Sequence, residues 1–146
     1  MRGRAPRATR DNLGFLLAKA AQRWNEFLAE RFAREGFPEV RPSYGSLLVP
    51  LFEEDGLRMS DLAARARLSK QTMTTMVRLL EREGLARREP DPRDGRASRV
   101  YLTPRSRAFQ PVVERALAEL DALVENRLSP DDLDRLRAML KGVMTL

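Results

Sequence analysis

A single change of hydrophobic period limits the fold of this chain more than any other feature. Over most of its length apolar residues recur at the three- and four-residue spacing of a helix face, but between Gly84 and Thr103 they do not. There, Leu85-Ala86-Arg87-Arg88-Glu89 and Ser98-Arg99-Val100-Tyr101-Leu102 read as two strands. The segment joining them, Pro90-Asp91-Pro92-Arg93-Asp94-Gly95-Arg96, is dense in turn residues. The expected fold class is therefore mainly α with one small, basic β-hairpin.

The helices have readable ends. Over 13–32, Leu13, Leu16, Leu17, Ala20, Trp24, Phe27 and Leu28 form an apolar stripe, with Asp11 as the expected N-cap and Gly36 and Pro38 closing the segment. A second helix is expected over 42–54, with Leu47, Leu48, Leu51 and Phe52 facing inward and Pro50 kinking it. Ser60 is the expected cap of a short helix over 61–67. Ser69 caps the next, over 70–83, which Gly84 terminates. Two helices joined this tightly are a helix-turn-helix candidate. Thr103-Pro104 opens a long helix carrying Phe109, Val112, Val113, Ala116, Leu117, Leu120, Leu123, Val124 and Leu128. Ser129-Pro130 opens a last one with Leu133, Leu136, Leu140 and Val143. The central part thus reads as a winged helix-turn-helix. The terminal helices hold more large apolar residues than one small winged domain can cover, which points to dimerisation.

Charge and composition narrow the function. Residues 56–107 carry thirteen basic and six acidic side chains, whereas 11–55 carry five and eight, and 108–146 carry five and seven. A basic centre on a mildly acidic scaffold suits a phosphate backbone. The first ten residues add four arginines, a basic tail expected to be disordered without DNA. There is no Cys and no His, so disulfides, thiolate chemistry, a Ser-His-Asp triad and the commonest metal ligand are all excluded. No apolar run reaches the length of a membrane span, and the N-terminus is not a secretory signal, so a cytoplasmic protein is expected.

The stretch from Ser60-Asp61-Leu62-Ala63-Ala64 through Glu83-Gly84-Leu85, followed by Arg87-Arg88-Glu89-Pro90-Asp91-Pro92-Arg93-Asp94-Gly95-Arg96 and Leu102-Thr103, resembles the MarR family of bacterial transcriptional regulators. The Asp-x-Arg-Asp-x-Arg wing followed by Leu-Thr carries most of the specificity. The resemblance implies a homodimer built by interlocking terminal helices, with one recognition helix in each major groove and one wing in each minor groove. It also implies repression relieved by a small phenolic or anionic ligand. Its domains would be the tail 1–10, a dimerisation helix 11–35, the winged helix-turn-helix 40–104 and C-terminal dimerisation helices 105–146. Three residues depart from the family pattern: Arg67 where Gly is usual in the turn, Leu79 where a charge is common, and Pro50. The thiol-sensing branch needs a cysteine that this chain lacks.

The expected recognition-helix contacts are Ser69, Lys70, Gln71, Thr72, Thr74, Thr75 and Arg78. Gln can bond adenine, Arg or Lys guanine, and Thr a phosphate or the thymine methyl. In the wing, Arg96 is the expected minor-groove residue, Arg93 a loop or phosphate partner, and Asp94 a pin for the loop through a neighbouring Arg. Trp24, Phe27, Tyr44 and Phe52 would line a ligand pocket of the family type, where Arg23 or Arg41 could meet a carboxylate. The expected partners are double-stranded DNA, a second copy of the chain and a small effector, with no membrane, cofactor or metal. One alternative is an architectural DNA-binding dimer without an effector. Another is an enzyme using Asp131, Asp132 and Asp134, but these lie at a helix N-terminus, where they offset its dipole.

Overall fold

The computed structural model describes residues 7–146. The part of the basic tail over 1–6 lies outside the described residues. The rest leads through exposed turns into α1, Leu13–Arg34. The cap of α1 is Asn12, one residue later than the expected Asp11. Asn12 Oδ1 accepts from the amides of Gly14 at 2.9 Å and Phe15 at 3.4 Å. A 3₁₀ turn, Pro42–Tyr44, precedes α2, Gly45–Glu53, and α2 runs on through Pro50.

Strand β1, Leu57–Arg58, has no counterpart in the sequence reading, because two residues show no alternation. It feeds directly into α3, Met59–Ala66, whose cap position is Arg58. Ser60 is therefore already helical and is not the cap. Arg67 then adopts the left-handed conformation, φ 56° and ψ 43°, which costs a non-glycine residue roughly 1–2 kcal/mol. Its amide and that of Leu68 bond back to Ala64 and Ala63 and close the helix.

Helix α4, Lys70–Arg82, begins as expected at Ser69, whose Oγ accepts the Thr72 amide at 3.1 Å. It ends in a Schellman closure. Gly84 has φ +74°, its amide bonds Glu81, and the Leu85 amide bonds the Leu80 carbonyl at 2.8 Å. That closure uses Leu85, so β2 starts one residue later than expected, as Ala86–Pro90. It pairs with β3, Ser98–Leu102, in a three-stranded antiparallel sheet of order β1-β3-β2. Thr103 and Ser106 form a capping box for α5, Pro104–Leu128, and Ser129 caps α6, Pro130–Met144.

One apolar core joins the winged region to the long helices. Leu47, Leu48, Leu51, Leu62, Met73, Val77, Leu80, Leu85 and Val100 fill the winged part. Phe109 of α5 packs edge-on against Phe32 of α1 with centroids 4.7 Å apart, and sits 5.4 Å from Phe37. Arg105 fastens the start of α5 to the chain after α1. It reaches Glu39 at 2.7 Å and the Gly36 carbonyl at 2.6 Å, and lies over the Phe37 ring. This guanidinium holds the Glu39 carboxyl below its ordinary pKa.

The terminal helices are only half used by this core. Leu13, Phe15 and Leu16 at the start of α1, Leu123 and Leu128 at the end of α5, and Met139, Val143 and Met144 of α6 are all exposed. This is the excess apolar surface that the sequence reading assigned to a second copy.

Candidate nucleic-acid interface

Helix α4 separates cleanly into two faces. Met73, Val77 and Leu80 are buried, with Met76 and Leu79 half-buried beside them. Ser69, Lys70, Gln71, Thr72, Thr75 and Arg78 are exposed, and Thr74 lies at the boundary. Gln71, Thr75 and Arg78 follow one another at helical i, i+4, i+7 spacing, so they form a single outward ridge. Glu81 stands just beyond that face and pairs with Arg88 of β2 at 2.8 Å.

The hydroxyls of this face are engaged. Thr74 Oγ1 donates to the Lys70 carbonyl at 3.0 Å, and Thr75 Oγ1 donates to the Gln71 carbonyl at 3.2 Å. Ser69 Oγ donates to Thr72 Oγ1 at 2.9 Å. The amide of Gln71 and the two cations have no such internal partner among the described residues.

The wing is held by a residue that sequence reasoning missed. The Asp91 side chain is fully buried, and it binds Arg58 Nε at 2.6 Å and Arg99 Nε at 3.0 Å. Its other oxygen accepts the amides of Arg93 at 2.8 Å and Asp94 at 3.4 Å. The Arg93 amide bond holds the Asp91 carboxyl below its ordinary pKa of 3.8. Burial opposes this, and Arg58 and Arg99 add to it. Arg99 in turn donates to the Gly56 carbonyl at 2.8 Å. At Gly56, φ is +73° and a Cβ would lie 2.7 Å from the Tyr101 ring, so only glycine fits there. The available signal was Asp91 preceding a proline in a turn, a position where Asp side chains habitually accept nearby amides. Asp94 does pin the tip, but through the Arg96 amide at 3.1 Å rather than through an arginine side chain.

The arginines sort into two groups. Arg58, Arg87, Arg88, Arg99, Arg105 and Arg107 each have a carboxylate partner and brace the sheet and its junctions. Lys70 and Arg78 on α4 and Arg93 and Arg96 at the wing tip are exposed and have no ion-pair partner among the described residues. The same holds for Arg67 and Arg82 at the turn before α4 and at its end. Cations left unpaired on the recognition face and the wing tip are free to meet phosphates or base edges.

The four aromatics expected around a ligand do not converge. Tyr44 is buried in the core. Trp24 and Phe27 are half-buried, with Arg31 stacked over Phe27. Only Phe52 lines the apolar crevice of about 90 Å³ between α1, α2 and α5, together with Leu28, Val49, Val113 and Leu117. Arg41 stands at that crevice, whereas Arg23 pairs with Glu26 at 3.7 Å. Among the described residues no cluster of carboxylates is arranged to hold a metal ion, and no helix is long and apolar enough to cross a membrane.

Comparison with known proteins agrees with this geometry. The MarR family profile matches residues 42–98, from the 3₁₀ turn into β3. The HTH-type transcriptional repressor Rv2887 of Mycobacterium tuberculosis is 32% identical over 62% of this chain and 66% of its own. The HTH-type transcriptional regulator YkoM of Bacillus subtilis is 27% identical over 89% of this chain and 82% of its own. A probable transcriptional regulator from Pseudomonas aeruginosa superposes with a TM-score of 0.77 at 28% identity, covering 91% of this chain and 97% of its own. Two more distant structures share the fold. PcaV from Streptomyces coelicolor, in complex with its natural ligand, has a TM-score of 0.79 at 21% identity over 97% of this chain and 98% of its own. The repressor CouR, bound to a 23-mer DNA duplex, has a TM-score of 0.78 at 23% identity over 94% of this chain and 99% of its own. With its helix-turn-helix, its wing and its flanking helices, the chain carries a MarR family domain over residues 42–98 and is similar along most of its length to DNA-binding transcriptional regulators of that fold.

Proposed function

We propose that this protein represses transcription as a homodimer on an inverted repeat. One α4 lies in each major groove, one wing tip enters each neighbouring minor groove, and a small ligand releases the complex. The observation that carries this reading is the location of the unpaired cations. Lys70 and Arg78 on α4, and Arg93 and Arg96 on the wing, are exposed and have no carboxylate partner among the described residues, while the arginines that brace the sheet are paired. Ser69, Gln71, Thr72, Thr74 and Thr75 complete the major-groove face. Arg96 is the minor-groove residue, Arg93 meets a phosphate, and Asp94 keeps the tip in shape.

The exposed apolar residues of α1, α5 and α6 supply the dimer contact. Burying one such side chain is worth roughly 1.5–3 kcal/mol, so half a dozen per chain suffice for stable association. Two copies related by a two-fold axis require half-sites about 10 base pairs apart. Selection from a random DNA pool is expected to return an imperfect inverted repeat with that spacing, and sedimentation two chains per duplex. A stable, compact monomer, or single unpaired half-sites, would count against the reading.

Ligand release is supported by the crevice between α1, α2 and α5, which lies where the winged region meets the long helices and has Arg41 at its wall. PcaV, which shares the fold, is known with its natural ligand bound. A phenolic or anionic compound is the matching chemistry, because the crevice is apolar and its cation is exposed. In a thermal-shift screen of small aromatic carboxylates and phenols, at least one compound is expected to raise the Tm and to release the selected duplex. Compounds that stabilise without releasing DNA, or a screen with no stabiliser, would leave the architectural reading in its place.

A further inference from the structure

We infer that Thr75 reads a thymine through its methyl group and takes no part as a hydroxyl donor, which makes it a specificity-determining residue on α4. This rests on the reading of α4 as the major-groove helix.

Thr75 is exposed and lies between Gln71 and Arg78 on the ridge, in the N-terminal half of α4, the end of a recognition helix that meets base edges. A threonine hydroxyl has one hydrogen, and that of Thr75 is already donated to the Gln71 carbonyl at 3.2 Å. Phosphate oxygens and the acceptor atoms of base edges all demand a donor. Thr75 can serve them only by giving up that bond; its oxygen keeps lone pairs for an adenine or cytosine amino group, and Thr75→Val, which removes the oxygen, tests that route. Its carbon end is under no such constraint. The γ-methyl has no polar duty, and the major groove displays one apolar group, the 5-methyl of thymine. Thr74 donates in the same way to Lys70, but it is half-buried and stands off the ridge.

The long side chains on either side complete the argument. Gln71 and Arg78 present donors and acceptors for base edges, so the ridge alternates polar, apolar, polar. Such an order matches a thymine lying between two bases read by hydrogen bonds.

The test uses the full-length protein and its selected duplex, in which each thymine is replaced in turn by deoxyuridine, removing only the 5-methyl. One symmetric pair of positions is expected to weaken binding about fourfold per half-site, or about fifteenfold when both are replaced, the value of one buried methyl-sized group. Thr75→Val keeps the methyl and discards the hydroxyl. It is expected to bind like the unaltered protein and to retain the uracil penalty. Thr75→Ser keeps the hydroxyl and discards the methyl, and is expected to bind more weakly and to abolish that penalty. If Thr75→Val loses affinity, or the uracil penalty survives in Thr75→Ser, the hydroxyl or another residue does the reading and the inference fails. Lys70→Ala and Gln71→Ala, measured alongside, separate this failure from that of the underlying reading. If both bind normally, α4 is not in the groove at all. If they bind weakly while Thr75→Ser does not, only the thymine assignment is lost.

Discussion

Asp91→Ala is expected to weaken DNA binding about a hundredfold while leaving the helices folded. The Asp91 carboxylate is the one group that touches β1, β3 and the wing tip together, through Arg58, Arg99 and the amides of Arg93 and Asp94. Its removal leaves two guanidinium groups facing each other and frees both tip amides. The helical core of Leu47, Leu62, Val77 and Phe109 does not contain it, so helix content is expected to persist. A wing that holds its binding conformation only about a tenth of the time lowers apparent affinity about tenfold per half-site, hence about a hundredfold for two. Fluorescence titration of the selected duplex measures the loss, and far-UV circular dichroism checks the fold. Binding within a factor of two of the unaltered protein would show that the tip keeps its shape without this clamp.

The same residue sets a pH dependence whose sign can be worked out. The folded Asp91 pKa lies below the ordinary 3.8, so the charged form is the one the fold prefers. Its contribution is fully present above that ordinary value and is lost as pH falls through the lower folded pKa. Asp91→Asn keeps an oxygen for the Arg93 amide but cannot ionise. The protection of the Arg93 and Asp94 amides, taken relative to their intrinsic exchange rates, is therefore expected to fall on acidification in the unaltered protein. In Asp91→Asn that protection is expected to start lower and to respond less. Glu39 is lowered in the same direction by Arg105, but it sits between α1 and α2, far along the chain from these amides.

Local chemistry was legible in the sequence at three helix starts and on the faces of α4. Ser69, Thr103 and Ser129 announce their helices because the cap bond spans only three residues. The two faces of α4 follow from spacing alone. What could not be read is whatever depends on distant partners. Arg58 and Asp91 are separated by 33 positions, and nothing in either segment marks them as a pair. Strand β1 exists because β3 lies beside it, with Leu57 opposite Val100, and two residues cannot show a period. Tyr44 follows the same logic. An aromatic at helical spacing looks alike whether it lines a cavity or fills the core, and packing against the long helices decided for the core. The shift of the first cap from Asp11 to Asn12 is a difference of one residue between two good capping side chains, which pattern alone does not resolve.

Gln71→Ala and Arg96→Ala are expected to fail in different ways, and the difference tests the whole docking geometry. Gln71 lies on the exposed ridge of α4 with an amide that can bond adenine at two points. Losing such a contact costs roughly 1–3 kcal/mol per half-site, so a dimer loses between about thirtyfold and about 25,000-fold on its best site. That loss is confined to sequences carrying the matching base. One symmetric pair of positions becomes indifferent, and the salt dependence stays as it was, because no charge is removed. Arg96 has the opposite signature. Its side chain is exposed and unpaired, and its amide bond to Asp94 survives in the alanine variant, so the tip keeps its shape while a cation disappears. A cation lying among phosphates releases a counterion on binding, and each one lost flattens the slope of log affinity against log salt by about 0.9, or about 1.8 for the dimer. Affinity then falls on nearly every sequence, most of all where flanking A-tracts narrow the minor groove and concentrate negative potential. Titrations at several salt concentrations, on the selected duplex and on one with altered flanks, read both effects at once. An unchanged slope in Arg96→Ala would remove the wing from the groove and leave specificity to α4 alone. A changed slope in Gln71→Ala would mean that this residue stands by the backbone, which would rotate α4 away from the orientation argued here.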